Sequence, residues 1–308
     1  MRWFTVIHDL SDIDTVDPGL TPPEISRFQG LSRAFKVIDR HRNNVPFTGA
    51  YFGNEFCERL LPRPDELEAV LEKMEKKGLS VVFMTPYLTD TGIDRLAALL
   101  ELLERSDGAE VVLNDWGVTR FVRKNFPGIT PVTGRLVSRM LKEVRISSYL
   151  KPGKAPPGAL DALKDCGYSN SDYDEVLTDH GIGRVEFDIP PQGLAVQLGE
   201  GIRKSVHVPF AYIATGRNCM PGSLNAQPVH KFTPATPCTK ECTRWLLQMK
   251  QKNKTPDPSG DEALLFQRGN TVFFLEEPAL IEEVLSGADG NGLDRVVVDA
   301  GLFSQREL

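Results

Sequence analysis

The chain has 308 residues, 41% of them hydrophobic and 25% charged, enough to bury a full apolar core without disulfide staples. Lys and Arg total 36 against 42 Asp and Glu, a formal net charge of -6, which argues against a general nucleic-acid-binding surface. The opening M-R-W-F-T-V-I-H-D-L holds an apolar patch too short for a signal peptide, and no stretch has the length of a membrane span, so a cytoplasmic protein with reduced thiols is expected.

Short β-rich runs alternate with amphipathic segments. Residues 2–7 predict a first strand, 9–23 an acidic loop and 23–41 a first helix. Residues 47–52 predict a second strand ending at Gly53. Pro64 and Asp65 start a helix with Leu67, Val70, Leu71 and Met74 on one face and Gly78 as its stop. Residues 79–85 form a continuous apolar run, as a buried parallel strand requires. The next helix carries Ile93, Leu96, Leu99, Leu100 and Leu103 on one stripe. Residues 109–113 predict a strand ending in N-D-W-G, followed by a helix over 118–125, a strand over 129–133 and a helix over 136–144.

Residues 147–179 break this rhythm and read as an excursion with one helical piece at 158–164. A strand over 184–189, a helix near 193–202 and a strand over 205–213 lead into the cysteine-rich stretch. Residues 242–252 look helical, 254–260 form a polar loop, and 264–274 a strand or hairpin. A helix at 278–285 and a strand at 293–298 complete the pattern. About eight strands alternating with helices predict a TIM-like (β/α)8 barrel over 1–308, with a cysteine-rich loop at about 214–260 within it. A doubly wound open sheet is the alternative, but no G-x-G-x-x-G or P-loop motif is present.

In a barrel, chemistry gathers where strands end. Cys57, Asn114, Asp115, Arg135, Asp188 and the region of Cys219 all fall at or just beyond predicted strand ends. Cys219, Cys238 and Cys242 lie close together in the chain, and Cys57 could join them on one rim. Thiolates are soft ligands that suit zinc or iron–sulfur, and the spacing leaves both open. Cys166 stands alone and reads as a small hydrophobe. His207 is a candidate for proton transfer or for bonding a cluster sulfide, against a plain core histidine. Arg217 and Arg135 suit a small anionic co-substrate, against ordinary ion pairs. Asn114 and Asp115 suit substrate orientation, against a helix N-cap. His8, His41, His180 and His230 read as structural or exposed. No hydrolase signature occurs.

The segment Y-F-G-N-E-F-C-E-R ending at Arg59 resembles the Y-x-G-x-x-x-C segment of the UbiV-like, iron–sulfur branch of the collagenase-like peptidase U-32 family. Asp115-Trp116-Gly117-Val118 is similar to its D-x-G-V, and Pro131-Val132-Thr133-Gly134 to its P-F-V-x-G. His207 to Tyr212 resembles its H-x-P-x-A-Y, followed by Arg217 and Cys219, and Cys238 to Cys242 its C-x-x-x-C. The matches keep their order from Ala50 to Cys242. Gly216 and Asn218 lengthen one segment, the loop between Cys219 and Cys238 is longer, and 9–17 and 147–179 have no counterpart.

The resemblance implies a barrel holding a 4Fe-4S cluster on Cys57, Cys219, Cys238 and Cys242. It implies oxygen-independent hydroxylation of the ubiquinone-biosynthesis type, with prephenate as hydroxyl donor. His207, Arg217 and Asp115 would be catalytic, and Arg135, Asn114 and Tyr212 substrate-binding. The expected partner is a paralogous UbiU-like subunit in a heterodimer, or a second copy. A zinc-stabilised peptidase-like hydrolase and a non-catalytic iron–sulfur partner subunit are the alternatives.

Overall fold

In the computed structural model, eight parallel strands close a barrel in the order β1-β12-β7-β6-β5-β4-β3-β2. The structure describes residues 1–16, 29–138, 140–144, 146, 156–224, 226–233, 237–249, 265–290 and 292–302. The barrel strands are β1 (Arg2–Val6), β2 (Gly49–Gly53), β3 (Ser80–Met84), β4 (Glu110–Leu113), β5 (Thr130–Thr133), β6 (Arg184–Asp188), β7 (Arg203–Val208) and β12 (Leu293–Val298). The (β/α)8-type reading therefore holds, and the open sheet is excluded.

Helices α1 (Gln29–Arg42), α2 (Pro64–Lys76), α3 (Asp90–Leu103), α4 (Trp116–Asn125) and α8 (Pro278–Ser286) supply apolar stripes to the outside of the barrel. Leu67, Val70 and Met74 of α2 and Leu96, Leu99, Leu100 and Leu103 of α3 are buried there, as their spacing requires. A second cluster, Phe4, Val6, Tyr51, Val82, Met84, Val112, Val132 and Val297, comes from the strands themselves.

A four-stranded sheet stands beside the barrel mouth: β8 (Phe210–Thr215), β11 (Thr271–Leu275), β10 (Leu265–Arg268) and β9 (Leu247–Met249), in that order and antiparallel. It corrects two expectations. The run 205–213 is two strands, because Pro209 has no N–H to continue the ladder and the chain crosses from barrel to side sheet. The stretch after Cys242 is a strand, β9, rather than a helix; 250–264 lie outside the described residues, as do 17–28 of the expected acidic loop and first helix. The run at 264–274 is the β10–β11 hairpin.

Two further expected helices are absent among the described residues. Over 136–144, carbonyls that a helix would use are captured from outside: Tyr168 donates to Val137 O at 2.6 Å and Gln192 to Leu141 O at 2.7 Å. Over 193–202, Gly193 sits at φ +90°, and Ala195 N and Gly199 N bond to Lys164 O and Asp174. The excursion holds the expected helix α5 (Ala159–Lys164) and a second, α6 (Ser171–Asp179), capped by Asn170.

Candidate functional site at the barrel mouth

A cavity of about 420 Å³ lies at the C-terminal end of the barrel, and Cys57, Cys219, Cys238 and Cys242 all line it. They reach it from separate elements. β2 ends at Gly53, whose φ of +110° and closeness to Met84 O leave no room for a Cβ. Asn54 Oδ1 then accepts from Phe56 N at 2.9 Å and Cys57 N at 2.7 Å, an Asx turn that sets Cys57 at the rim. Cys219 immediately precedes the short helix α7 (Met220–Leu224), and Gly222 N donates to its Sγ at 3.4 Å. Cys242 is buried in the 3-10 turn Glu241–Thr243, and Gly269 of the β10–β11 turn packs against it. Cys238 is exposed.

Burial pushes the Cys57 and Cys219 thiols up, and neighbouring cysteines of the set add to it. Burial pushes Cys242 to about 12, with Arg268 opposing and the other three thiols reinforcing. As bare thiols these groups keep their protons; a metal would displace them. Cys166 lies apart, with Tyr168 N donating to its sulfur, and burial raises it to about 11.

Below the thiols the barrel interior is charged. Arg135 donates to Glu55 from Nε at 3.1 Å and to Asp188 from Nη1 at 2.6 Å, and Lys142 donates to the other oxygen of Asp188. All four side chains are at most 7% exposed. Burial would raise Asp188, but Lys142 and Arg135 outweigh it and hold it below the ordinary carboxylate value. Deeper still, His207 Nε2 lies 2.8 Å from Glu186, Tyr51 donates its hydroxyl to the same carboxylate, and Arg295 bridges Tyr51 to Glu110. Burial works against the Glu186 charge, and His207 and its partners more than offset it. The residues 184, 186 and 188 of β6 share one face by the strand's period of two, which is why R-V-E-F-D delivers two carboxylates to one interior.

Glu55, Glu186 and His207 form the set of three metal-ligand atoms that, among the described residues, lie within 4.8 Å of one another. Their oxygens already accept from Arg135, Tyr51 and His207. A divalent cation there would face Arg135 and displace these bonds, so the trio is an internal ion-pair network. No three cysteine sulfurs form so tight a set. Tetrahedral zinc, with Zn–S of about 2.3 Å, needs sulfurs roughly 3.8 Å apart. Every trio of cysteine sulfurs contains at least one pair farther apart than 4.8 Å.

The other sequence candidates separate. His207, Arg135 and Arg217 line the cavity. Arg135 spends its donors on Glu55, Asp188 and Phe210 O, which makes it a pivot of the network rather than an open carboxylate clamp. Arg217 is exposed, lies 5.7 Å from the Tyr87 ring centroid, and has no carboxylate partner among the described residues. Asp115 is an N-cap: its side chain accepts from Gly117 N and Val118 N at the start of α4, and it does not line the cavity. Asn114 sits behind the cavity, bonding Thr85 O and Leu136 N. Tyr212 also stands behind it, donating to Arg135 O at 2.9 Å, with Lys142 3.4 Å from its ring centroid.

Residues not singled out from sequence complete the lining. His8 and Asp299 pair at 2.9 Å, with Arg268 beside the imidazole. Glu55, Tyr87 and Asn270 line the same cavity. The available signal was position: His8, Glu55, Tyr87 and Asp299 each follow the end of a barrel strand.

No protein-family model matches the chain, and no curated protein matches it. Among solved structures it is similar to the U32 peptidase Mk0906, with a TM-score of 0.41 and 11% identity over 97% of this chain and 92% of that one. No helix among the described residues is long and apolar enough to cross a membrane.

Proposed function

We propose that Cys57, Cys219, Cys238 and Cys242 hold a 4Fe-4S cluster and that the protein acts in oxygen-independent hydroxylation of a small substrate. One observation carries this reading: four thiols from remote parts of the chain line a single cavity at the barrel mouth. The donor set fits the group, being all-sulfur, gathered on one cavity and partly shielded from water. When bound, such a cluster supplies one-electron chemistry next to the cavity.

The chain's own residues supply the rest. His207, oriented by Glu186, presents its ring to the cavity for proton transfer. Arg217 offers a guanidinium for the carboxylate of an anionic co-substrate such as prephenate. The walls are largely apolar, with Val6, Phe56, Met84, Phe210 and Phe273 excluding water from a small ligand. A paralogous U-32 family subunit, or a second copy, is the proposed partner.

The peptidase-like reading has less support. The His8–Asp299 pair has no serine among the described residues of the cavity lining, and no three thiols lie within 4.8 Å of one another. Purification without air followed by iron, sulfide and zinc analysis tests the proposal. Brown protein with about four iron and four sulfide per chain is expected; a colourless protein with stoichiometric zinc overturns it.

A further inference from the structure

Asn270 sits in the tight turn between β10 and β11, on the cavity wall. Its side-chain amide donates to Phe56 O at 2.6 Å and to Gly216 O at 2.5 Å. Phe56 immediately precedes Cys57, and Gly216 is the residue just after β8 on the way to Cys219. Gly216 N returns a bond to Asn270 O at 3.2 Å, and Tyr87 donates to Gly216 O at 2.6 Å. Next to Asn270, Gly269 has φ +61°, and a Cβ there would lie 3.2 Å from Cys242 Cβ. One turn therefore touches three of the four cysteine-bearing segments, which no local sequence signal brings together.

We propose that Asn270 is the positioning residue that sets the spacing between Cys57 and Cys219. It does so through its amide, which ties the loop after β2 to the strand end after β8. The amide is suited to this because one NH2 group offers two donors, and two carbonyls from distant segments can share it. An aspartate of the same size has no donor to give. The proposal rests on the reading that the four thiols act as one donor set, and its test separates the two.

The full chain is compared, reduced and metal-free, as wild type, Asn270→Asp and Asn270→Ala. A short bifunctional thiol reagent is applied, and mass spectrometry measures the Cys57–Cys219 and Cys238–Cys242 cross-links. Asn270 holds the first pair and has no bond to the segment carrying the second. The expected result is a drop of about tenfold in the Cys57–Cys219 cross-link in both variants, as loss of two part-buried hydrogen bonds implies, with the Cys238–Cys242 cross-link unchanged. Equal yields in all three proteins overturn the proposal. So does a parallel fall of both cross-links, or loss of the cooperative unfolding transition, either of which makes Asn270 a general folding residue.

Reconstitution with iron and sulfide under argon is run alongside. Wild type that takes up no iron, with the selective loss of cross-linking intact, refutes the cluster and leaves the tether standing. Wild type that loads iron while both variants cross-link and load equally well refutes the tether and leaves the cluster standing.

Discussion

Arg135 and Glu55 face each other inside the barrel mouth, with Nε 3.1 Å from a carboxylate oxygen and neither side chain more than 7% exposed. Removing the cation alone leaves Glu55 unpaired and takes one of two cations from Asp188. Arg135→Met is expected to destabilise the fold by about 3–5 kcal/mol in urea titration. Combining it with Glu55→Gln should recover part of that loss, because one stranded charge is removed with its partner. A single variant as stable as wild type contradicts this account.

Glu276 gives the opposite sign. It is 1% exposed, accepts from Ile189 N at 2.8 Å, and its second oxygen has no hydrogen-bond partner among the described residues. Burial, then the neighbouring Asp188, raises it well above the ordinary carboxyl value. The native state therefore binds one more proton than the unfolded chain between the ordinary and the raised value, and stability falls as pH climbs through that window. Glu276→Gln should remove this slope and gain about 1 kcal/mol at mildly alkaline pH. Melting curves across pH decide it; identical slopes for both proteins refute it.

Asp188 and Glu186 are held below their ordinary values, so their contribution is present above the unfolded carboxyl value and lost as pH falls through the folded one. Asp188→Asn should flatten the acid limb of the stability profile. An unchanged acid limb removes Asp188 from the explanation.

Asp115 should behave as a cap. Asp115→Ala is expected to cost about 1 kcal/mol of stability and to leave iron content untouched. A loss of iron without a loss of stability returns Asp115 to the site.

The cysteines should divide four to one. Replacing Cys57, Cys219, Cys238 or Cys242 by Ala is expected to lower iron and sulfide after anaerobic reconstitution, whereas Cys166→Ala leaves both unchanged. Iron analysis of the five variants checks this, and equal loss across all five removes the basis for the grouping.

The barrel was legible because its strands are short apolar runs buried on both faces, as at 80–84 and 110–113. The side sheet was not, because β8 follows β7 after a single proline and finds its partner β11 more than fifty residues later. The false helices at 136–144 and 193–202 have adequate composition for a helix; Tyr168, Gln192 and Asp174 take their backbone groups, and these partners are distant in the chain. The thiols could be grouped in advance because cysteine is scarce. The His8–Asp299 pair could not, since its members lie 291 positions apart and no motif ties them together.

β12 joins β1 to β7 and follows all five cysteines in the chain. Until that strand docks, β2 and β7 are joined only the long way round, through β3, β4, β5 and β6, and the ring stays an open sheet. All four thiols of the candidate site are therefore made before the strand that shuts the ring. Closure of the barrel is thus the last step that fixes the mouth on which Cys57, Cys219, Cys238 and Cys242 sit.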